Sequence, residues 1–201
     1  MHMNNLSFEV QSTLPTTWGD FRIYAFKSDS QHFPHVALVA DGTDFGLDQG
    51  VNVRIHSECM TGDLFGSTRC DCGDQLNFSL RYISSQGGVL LYLRQEGRGI
   101  GLVNKLHAYN LQDGGLDTFE ANRHLGFHDD ERDFSVGIRM LHALDIFQVN
   151  VITNNPEKLQ AFEGTGIVVR QRIPVEIQPN GDNANYLRAK KLHMGHLLTN
   201  V

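Results

Sequence analysis

The sequence predicts a mixed α/β (α+β) domain, β-rich in its N-terminal half and alternating between strands and helices after residue 88. Two observations carry this. Short β-rich segments at 21–26, 36–40 and 51–56 are separated by Gly and Asp turns. From residue 89 onward, apolar runs of strand length take turns with segments of helical period. Between these halves, residues 74–85 form a predicted helix. Leu76, Leu80 and Ile83 recur there at i, i+4 and i+7, and Gly87-Gly88 ends it. The run 89–93 is a buried strand. A Gly-rich turn follows, then a helix near 102–113. Phe134, Ile138 and Leu141 set an amphipathic helix at about 133–144, and 148–153 is a strand. Asn155-Pro156 supplies an N-cap and a first-turn proline for a helix near 156–163. A strand at 167–171 and a helix in the tail after Asn185 complete the pattern. There is no repeat, low-complexity stretch or long linker, so 1–201 is expected to form a single domain.

A chain of 201 residues can bury a sizeable core, and 40% hydrophobic with 20% charged residues is a globular composition. The formal net charge of −6 argues against wholesale nucleic-acid binding through a basic surface. A small anionic ligand needs only a local arginine cluster and stays open. No apolar run approaches the roughly 18 residues of a membrane span. Residues 1–5 show no charged-then-apolar signal pattern. The expected location is the cytoplasm, with no membrane or nucleic-acid partner. Thiols stay reduced there, and clustered cysteines favour metal binding or catalysis.

The three cysteines, Cys59, Cys70 and Cys72, fall within fourteen residues as C-x10-C-x-C. An odd number cannot pair off completely into disulfides. The spacing fits one divalent metal with three protein ligands and a fourth position open to water, as in catalytic zinc sites. The competing reading is three unrelated buried thiols. Cys70-Asp71-Cys72-Gly73 weakens it, because a Gly-flanked CxC is expected to form a loop. Arg54 and Glu58 end a predicted strand beside the first thiol. Beside a metal, Glu58 gains a role as proton carrier or outer-sphere group. His56 is expected to be a structural histidine. Three thiolates on Zn²⁺ leave a local charge of about −1, which Arg69 is expected to offset.

A second constellation, Arg94-Gln-Glu96-Gly97-Arg98-Gly99-Ile100-Gly101, follows a strand and precedes a helix. Its glycines free backbone N–H groups at a helix start, and Arg94 and Arg98 suit phosphate oxygens. It is not a Walker A loop, since no Gly-Lys-Ser/Thr follows. Phe127-His-Asp-Asp130-Glu131-Arg132-Asp133 precedes the next helix. Capping explains its acids well, Asp133 among them, but suits Arg132 poorly. Thr118 lies in Asp117-Thr-Phe-Glu120, which has the form of a capping box. Thr153, Asn154, Asn155 and Lys158 end a strand and open a helix, where α/β folds place ligands.

In this order these blocks resemble the GTP cyclohydrolase II family. The stretches are HSECMTGDLFGSTRCDCGDQL, LYLRQEGRGIGLVNKLHAYNLQD, DTFEAN, LGFHDDERDF, ITNNPEK and MGHLL, spanning about 14–198. The resemblance implies conversion of GTP to a diaminopyrimidinone ribosyl phosphate with release of formate and pyrophosphate, opening riboflavin biosynthesis. It implies one Zn²⁺ per subunit, Mg²⁺ with the triphosphate, and a homodimer. By position, Cys59, Cys70 and Cys72 match the zinc ligands. Arg54, Ile55, His56, Ser57, Glu58, Gln75, Glu96, Gly97, Arg98, Thr118, Thr153 and Lys158 match GTP-binding positions. Asp130 matches the proton acceptor, Arg132 the nucleophile toward the α-phosphate, and Tyr109 the tyrosine associated with ring opening. Nothing functional is carried over to the first thirty residues or to 178–193. Many plant and bacterial members fuse this domain to a second riboflavin enzyme, for which this length leaves no room. A zinc nucleobase deaminase is disfavoured because no P-C-x-x-C is present. Intact cysteines, Asp130 and Arg132 argue against a nucleotide sensor, and Tyr109 argues against a paralogue that stops early.

Overall fold

The computed structural model describes residues 6–28, 33–46 and 48–201, apart from the side chains of Asn185 and His193. Residues 1–5, expected to carry no signal pattern, lie outside the described residues. The strands are β1 (Leu6–Thr16), β2 (Gly19–Ser28), β3 (His35–Ala40), β4 (Val51–Ser57), β5 (Val89–Leu93), β6 (Gln148–Ile152) and β7 (Val168–Ile173). They form one sheet in the order β1-β2-β3-β5-β4-β6-β7. Pairing is antiparallel from β1 through β3 to β5 and parallel from β5 through β4 and β6 to β7.

Alternation along the strands divides the core into two layers. Val53, Ile55, Leu91, Leu93, Val149 and Val151 face helix α5 (Ser135–Ala143), which contributes Val136, Ile138, Met140 and Leu141. Leu90, Ile152 and Phe21 pack on the other face with Leu80 and Ile83 of helix α2 (Cys72–Gln86). Each fully buried Leu, Ile or Val contributes about 1.5–3 kcal/mol, so these two layers fix the sheet. Strand β4 is mixed: Val51, Val53 and Ile55 go to the α5 layer, while Arg54 reaches Gln75 of α2. The polar positions of a core strand are thereby aimed at the end where α2 begins.

The remaining helices are α1 (Met60–Asp63), α3 (Gly101–Asp113), α4 (Thr118–His124), α6 (Pro156–Gln160) and α7 (Ala184–Met194), with a 3₁₀ turn at Glu96–Gly99. Strands β4, β5 and β6 run parallel, so the segments leaving Ser57, Leu93 and Ile152 emerge together at one sheet end. That is where open α/β sheets bind ligands. The predicted caps form. Asp117 accepts from Phe119 N and Glu120 N while Glu120 returns to Asp117 N, and Asn155 accepts from Glu157 N. Phe134 is the N-cap position of α5 and makes no side-chain cap, while Asp133 just before it accepts from Ser135 N.

Two expectations need correction. The eleven-residue strand β1 was not predicted, although Leu6, Phe8 and Val10 alternate with polar residues. It is an exposed edge strand, and a register shift between Phe8 and Val10 breaks its period. Cys72 opens helix α2 rather than sitting in a loop. Among the described residues, no helix is long and apolar enough to cross a membrane.

His35, at the start of β3, is buried and accepts from Arg94 N through Nδ1. Burial first, then Arg139 and Arg94, lower its pKa from 6.5 to about 4. The unfolded chain takes up this proton below pH 6.5 and the folded chain only near pH 4. Stability carried by neutral His35 is therefore lost as pH falls through that window. His35→Gln is expected to flatten this part of the stability profile in denaturant titrations across pH 4–7.

Candidate active site

Cys59 follows β4, Cys70 precedes α2, and Cys72 is the first residue of α2. Their three Sγ atoms lie within 4.8 Å of one another, with Cys59 and Cys70 3.7 Å apart. A tetrahedral centre with Zn–S of about 2.3 Å requires S···S separations of about 3.8 Å. The Cys59–Cys70 separation matches that value, and Cys72 lies close enough to complete a three-thiol site. Without a cation, hydrogen bonds from Cys70 and Cys72 pull the Cys59 thiol well down, and Cys59 pushes Cys70 up to about 11 and Cys72 up as well. One negative charge is shared among three sulfurs; a divalent ion lets all three ionise. Gly62 makes the convergence possible. A Cβ there would lie 2.9 Å from Cys70 Sγ and 3.2 Å from Cys59 Sγ. Gly73 serves the same contact, since its Cβ would meet the Gly62 carbonyl at 2.3 Å.

A buried polar network steadies the triad. Asp63 accepts from Cys59 N (3.0 Å), His56 Nε2 (3.0 Å) and Tyr92 OH (2.9 Å). His56 also stacks on Tyr92, which fits the structural role expected of it. Glu96 accepts from Met60 N (2.6 Å) and Gly97 N (2.7 Å), tying the metal loop to the Gly-rich turn. Lys105 Nζ donates to Glu96 (2.8 Å) and Thr61 (2.9 Å) and lies 3.1 Å from Cys59 Sγ. Lys105 is thus the cation beside the thiols. Arg69, expected there, lies over the Tyr109 ring among the cavity-lining residues while pairing with Asp113. Tyr109 OH lies 3.4 Å from Thr61 Oγ1, with its ring over Lys105.

The thiols open onto a cavity of about 750 Å³. Arg54, Arg98, Lys105, Arg132, Lys158 and Lys190 line it. Arg98 is held in the left-handed region at φ 60°, and the adjacent Gly99 has no space for a side chain, because a Cβ would lie 2.9 Å from the Glu131 backbone. Arg54 donates to the Ile152 carbonyl (2.9 Å) and to Gln75 (2.5 Å). Lys158 donates to the Ile55 carbonyl (2.8 Å); burial first, then Arg54 and Arg132, hold its pKa well below the usual lysine range. Arg132 makes a two-pronged pair with Asp130 over the Phe134 ring. Arg54 Nε, Arg98 Nη2, Asn155 Nδ2 and His196 Nε2 are buried without a hydrogen-bond partner among the described residues. An unmade bond of this kind costs about 1–3 kcal/mol. Buried donors and cations in excess describe a site built for an anion.

The cavity brings together Arg54, His56, Ser57, Glu58, Cys59, Cys70, Cys72, Gln75, Glu96, Gly97, Arg98, Tyr109, Thr118, Arg132, Thr153 and Lys158. Ile55 is not on its wall; its side chain is in the core and its carbonyl is taken by Lys158. Asp130 stands behind Arg132. Arg94, expected to bind phosphate, pairs with Glu58 (2.8 Å) and lines a separate cleft. Lys105, Asp63, Asp71 and Lys190 were not anticipated. Lys105 was within reach of sequence reasoning, since it shares a face of α3 with Tyr109 at i, i+4. Lys190 was not, because its partner Asp71 is 119 residues away.

A mixed α/β domain with a metal-competent thiol triad lining a cationic cavity is an enzyme of the metal-site-and-anion-pocket class. The chain belongs to the GTP cyclohydrolase II family, whose model matches residues 7–174. It is 49% identical over 191 residues to the riboflavin biosynthesis protein RibBA of Chlorobium phaeovibrioides, covering 94% of this chain and 46% of that protein. It is 48% identical over 191 residues to RibBA of Bacillus subtilis, covering 94% and 48%. It is also 48% identical over 191 residues to the GTP cyclohydrolase-2 of Blochmanniella floridana, covering 94% and 95%. The chain thus spans about half the length of the RibBA relatives and nearly all of the last.

Proposed function

We propose that the chain hydrolyses GTP to a diaminopyrimidinone ribosyl phosphate, formate and pyrophosphate, as the first step of riboflavin biosynthesis. The observation that carries this reading is that one cavity holds both chemistries the reaction needs. The thiol triad and the cations both line its walls. Water adds at guanine C8 and opens the imidazole ring, a second hydrolysis frees that carbon as formate, and cleavage of the α–β anhydride releases pyrophosphate. Cys59, Cys70 and Cys72 would hold one zinc ion per subunit. When bound, zinc supplies Lewis acidity for hydration near C8.

The chain's own residues do the rest. Arg98, Arg132 and Lys158 receive the triphosphate, which enters with Mg²⁺. Asp130 orients Arg132 toward it. Lys105 balances thiolate charge, and Tyr109 with Thr61 closes the wall beside the opening ring. Thr118, Thr153 and Gln75 line the remaining surface. The triphosphate supplies the negative charge that Lys158 lacks, so binding draws a proton to it. The enzyme is assigned to the cytoplasm and to a homodimer. Exposed Leu64, Phe65, Val103 and Leu106 offer apolar surface for a second copy.

Incubation with GTP and Mg²⁺, read by mass spectrometry, tests the reaction. Formate, pyrophosphate and the pyrimidine in equal amounts are expected; pyrophosphate without formate would contradict it. Gly62→Ala should reduce zinc content and formate release together, because its methyl group displaces the sulfurs. Full zinc content in that variant, by metal analysis, would contradict the packing argument.

A further inference from the structure

The match to the family ends at residue 174, yet Tyr186, Lys190, Met194 and His196 line the cavity. The C-terminal segment is therefore one of its walls; two contacts dock it and a third shapes it locally. Lys190 Nζ donates to Asp71 (2.9 Å), between two of the thiol residues. Leu197 N donates to the Asn154 carbonyl (2.8 Å), in the loop that opens α6. His196 N donates to the Lys190 carbonyl (3.3 Å). Backbone bonds on both sides thus fix His196 at the cavity.

We propose that His196 is a substrate-contact residue, supplied by the C-terminal segment, that binds the phosphate chain of the nucleotide beside Arg132 and Lys158. This rests on the functional reading above. Its Nε2 is buried with no hydrogen-bond partner among the described residues, as are Asn155 Nδ2 and Arg98 Nη2 on neighbouring walls. Burial first, then Lys190, Lys158 and Arg132, lower its pKa to about 3, so its ring is neutral in a field of cations. Arg132 and Lys190, with Lys158 beside them, surround one unsatisfied imidazole. A phosphate oxygen would accept from the ring and draw on these cations.

The test measures calorimetric binding of two probes to zinc-loaded protein: a GTP analogue with a methylene bridge between the α and β phosphorus atoms, and guanosine. His196→Ala is expected to weaken the analogue about tenfold, equivalent to about 1.4 kcal/mol, and to leave guanosine unchanged. His196→Gln, which keeps a donor, should recover part of the loss. In turnover, the Ala variant should raise KM with little change in kcat. Equal weakening of both probes, or no weakening of the analogue, would overturn the assignment. Wild-type protein that binds the analogue but releases no formate from GTP would overturn the functional reading instead. Selective loss in His196→Ala would then still support the phosphate contact.

Discussion

Cys70→Ser protein is expected to lose bound zinc and formate release together. One of three ligands is removed, and the remaining pair cannot close a stable centre. Loss of an outer-sphere partner alone costs about 10–100-fold in metal affinity, so loss of a ligand should exceed about 100-fold. Formate release should fall in proportion, because hydration of C8 is assigned to the metal held by the triad. The fold should survive. The two hydrophobic layers do not depend on the thiols, and α2 keeps its packing through Leu80 and Ile83. Metal analysis and a formate assay on the same preparation check this. Unchanged zinc with unchanged formate would remove the triad from the mechanism.

Arg132 carries the second large effect. Arg132→Ala should lower pyrophosphate release by about 100- to 1000-fold, the range seen when one charge-stabilising donor is removed. GTP affinity should fall less, since Arg98 and Lys158 remain. The geometry favours an electrostatic role over nucleophilic attack. Burial alone would lower the pKa of Arg132, but hydrogen bonds and charge from Asp130 outweigh it and the net shift is upward. A guanidinium held protonated is a poor nucleophile. Arg132→Lys separates the roles: a point charge survives, while the planar fork gripping Asp130 does not. Substantial pyrophosphate release in the lysine variant, with no phosphoramidate adduct on the wild type, is the expected result. A trapped adduct at Arg132 would favour attack instead. Arg132→Ala also leaves the part-buried Asp130 without its partner, a cost in stability, so thermal melts must accompany the rates.

Much of the fold was legible because period and punctuation agree. Val89–Leu93 is apolar throughout because both its faces are covered. The Asp117 capping box and the Asn155-Pro156 start were readable because caps are local chemistry. Strand β1 escaped because its alternation faces solvent and is broken by a bulge. At the site, the spacing of the cysteines carried the metal reading, and the strand–turn–helix context carried that of Arg98. Arg94 was misplaced because residue type announces a cation, but Glu58 claims it. Lys190 and His196 depend on contacts between distant segments, which no local pattern announces.

The central claim is a division of labour: the thiol triad opens the base, and the cations cleave the anhydride. The direct measurement follows GTP isotopically labelled at C8 by carbon and phosphorus NMR in one tube, for wild-type and Cys59→Ser protein. The wild type should deliver the label to formate as pyrophosphate appears. Cys59→Ser should deliver no labelled formate while still releasing some pyrophosphate. Labelled formate at the wild-type rate from zinc-free Cys59→Ser protein would contradict the account.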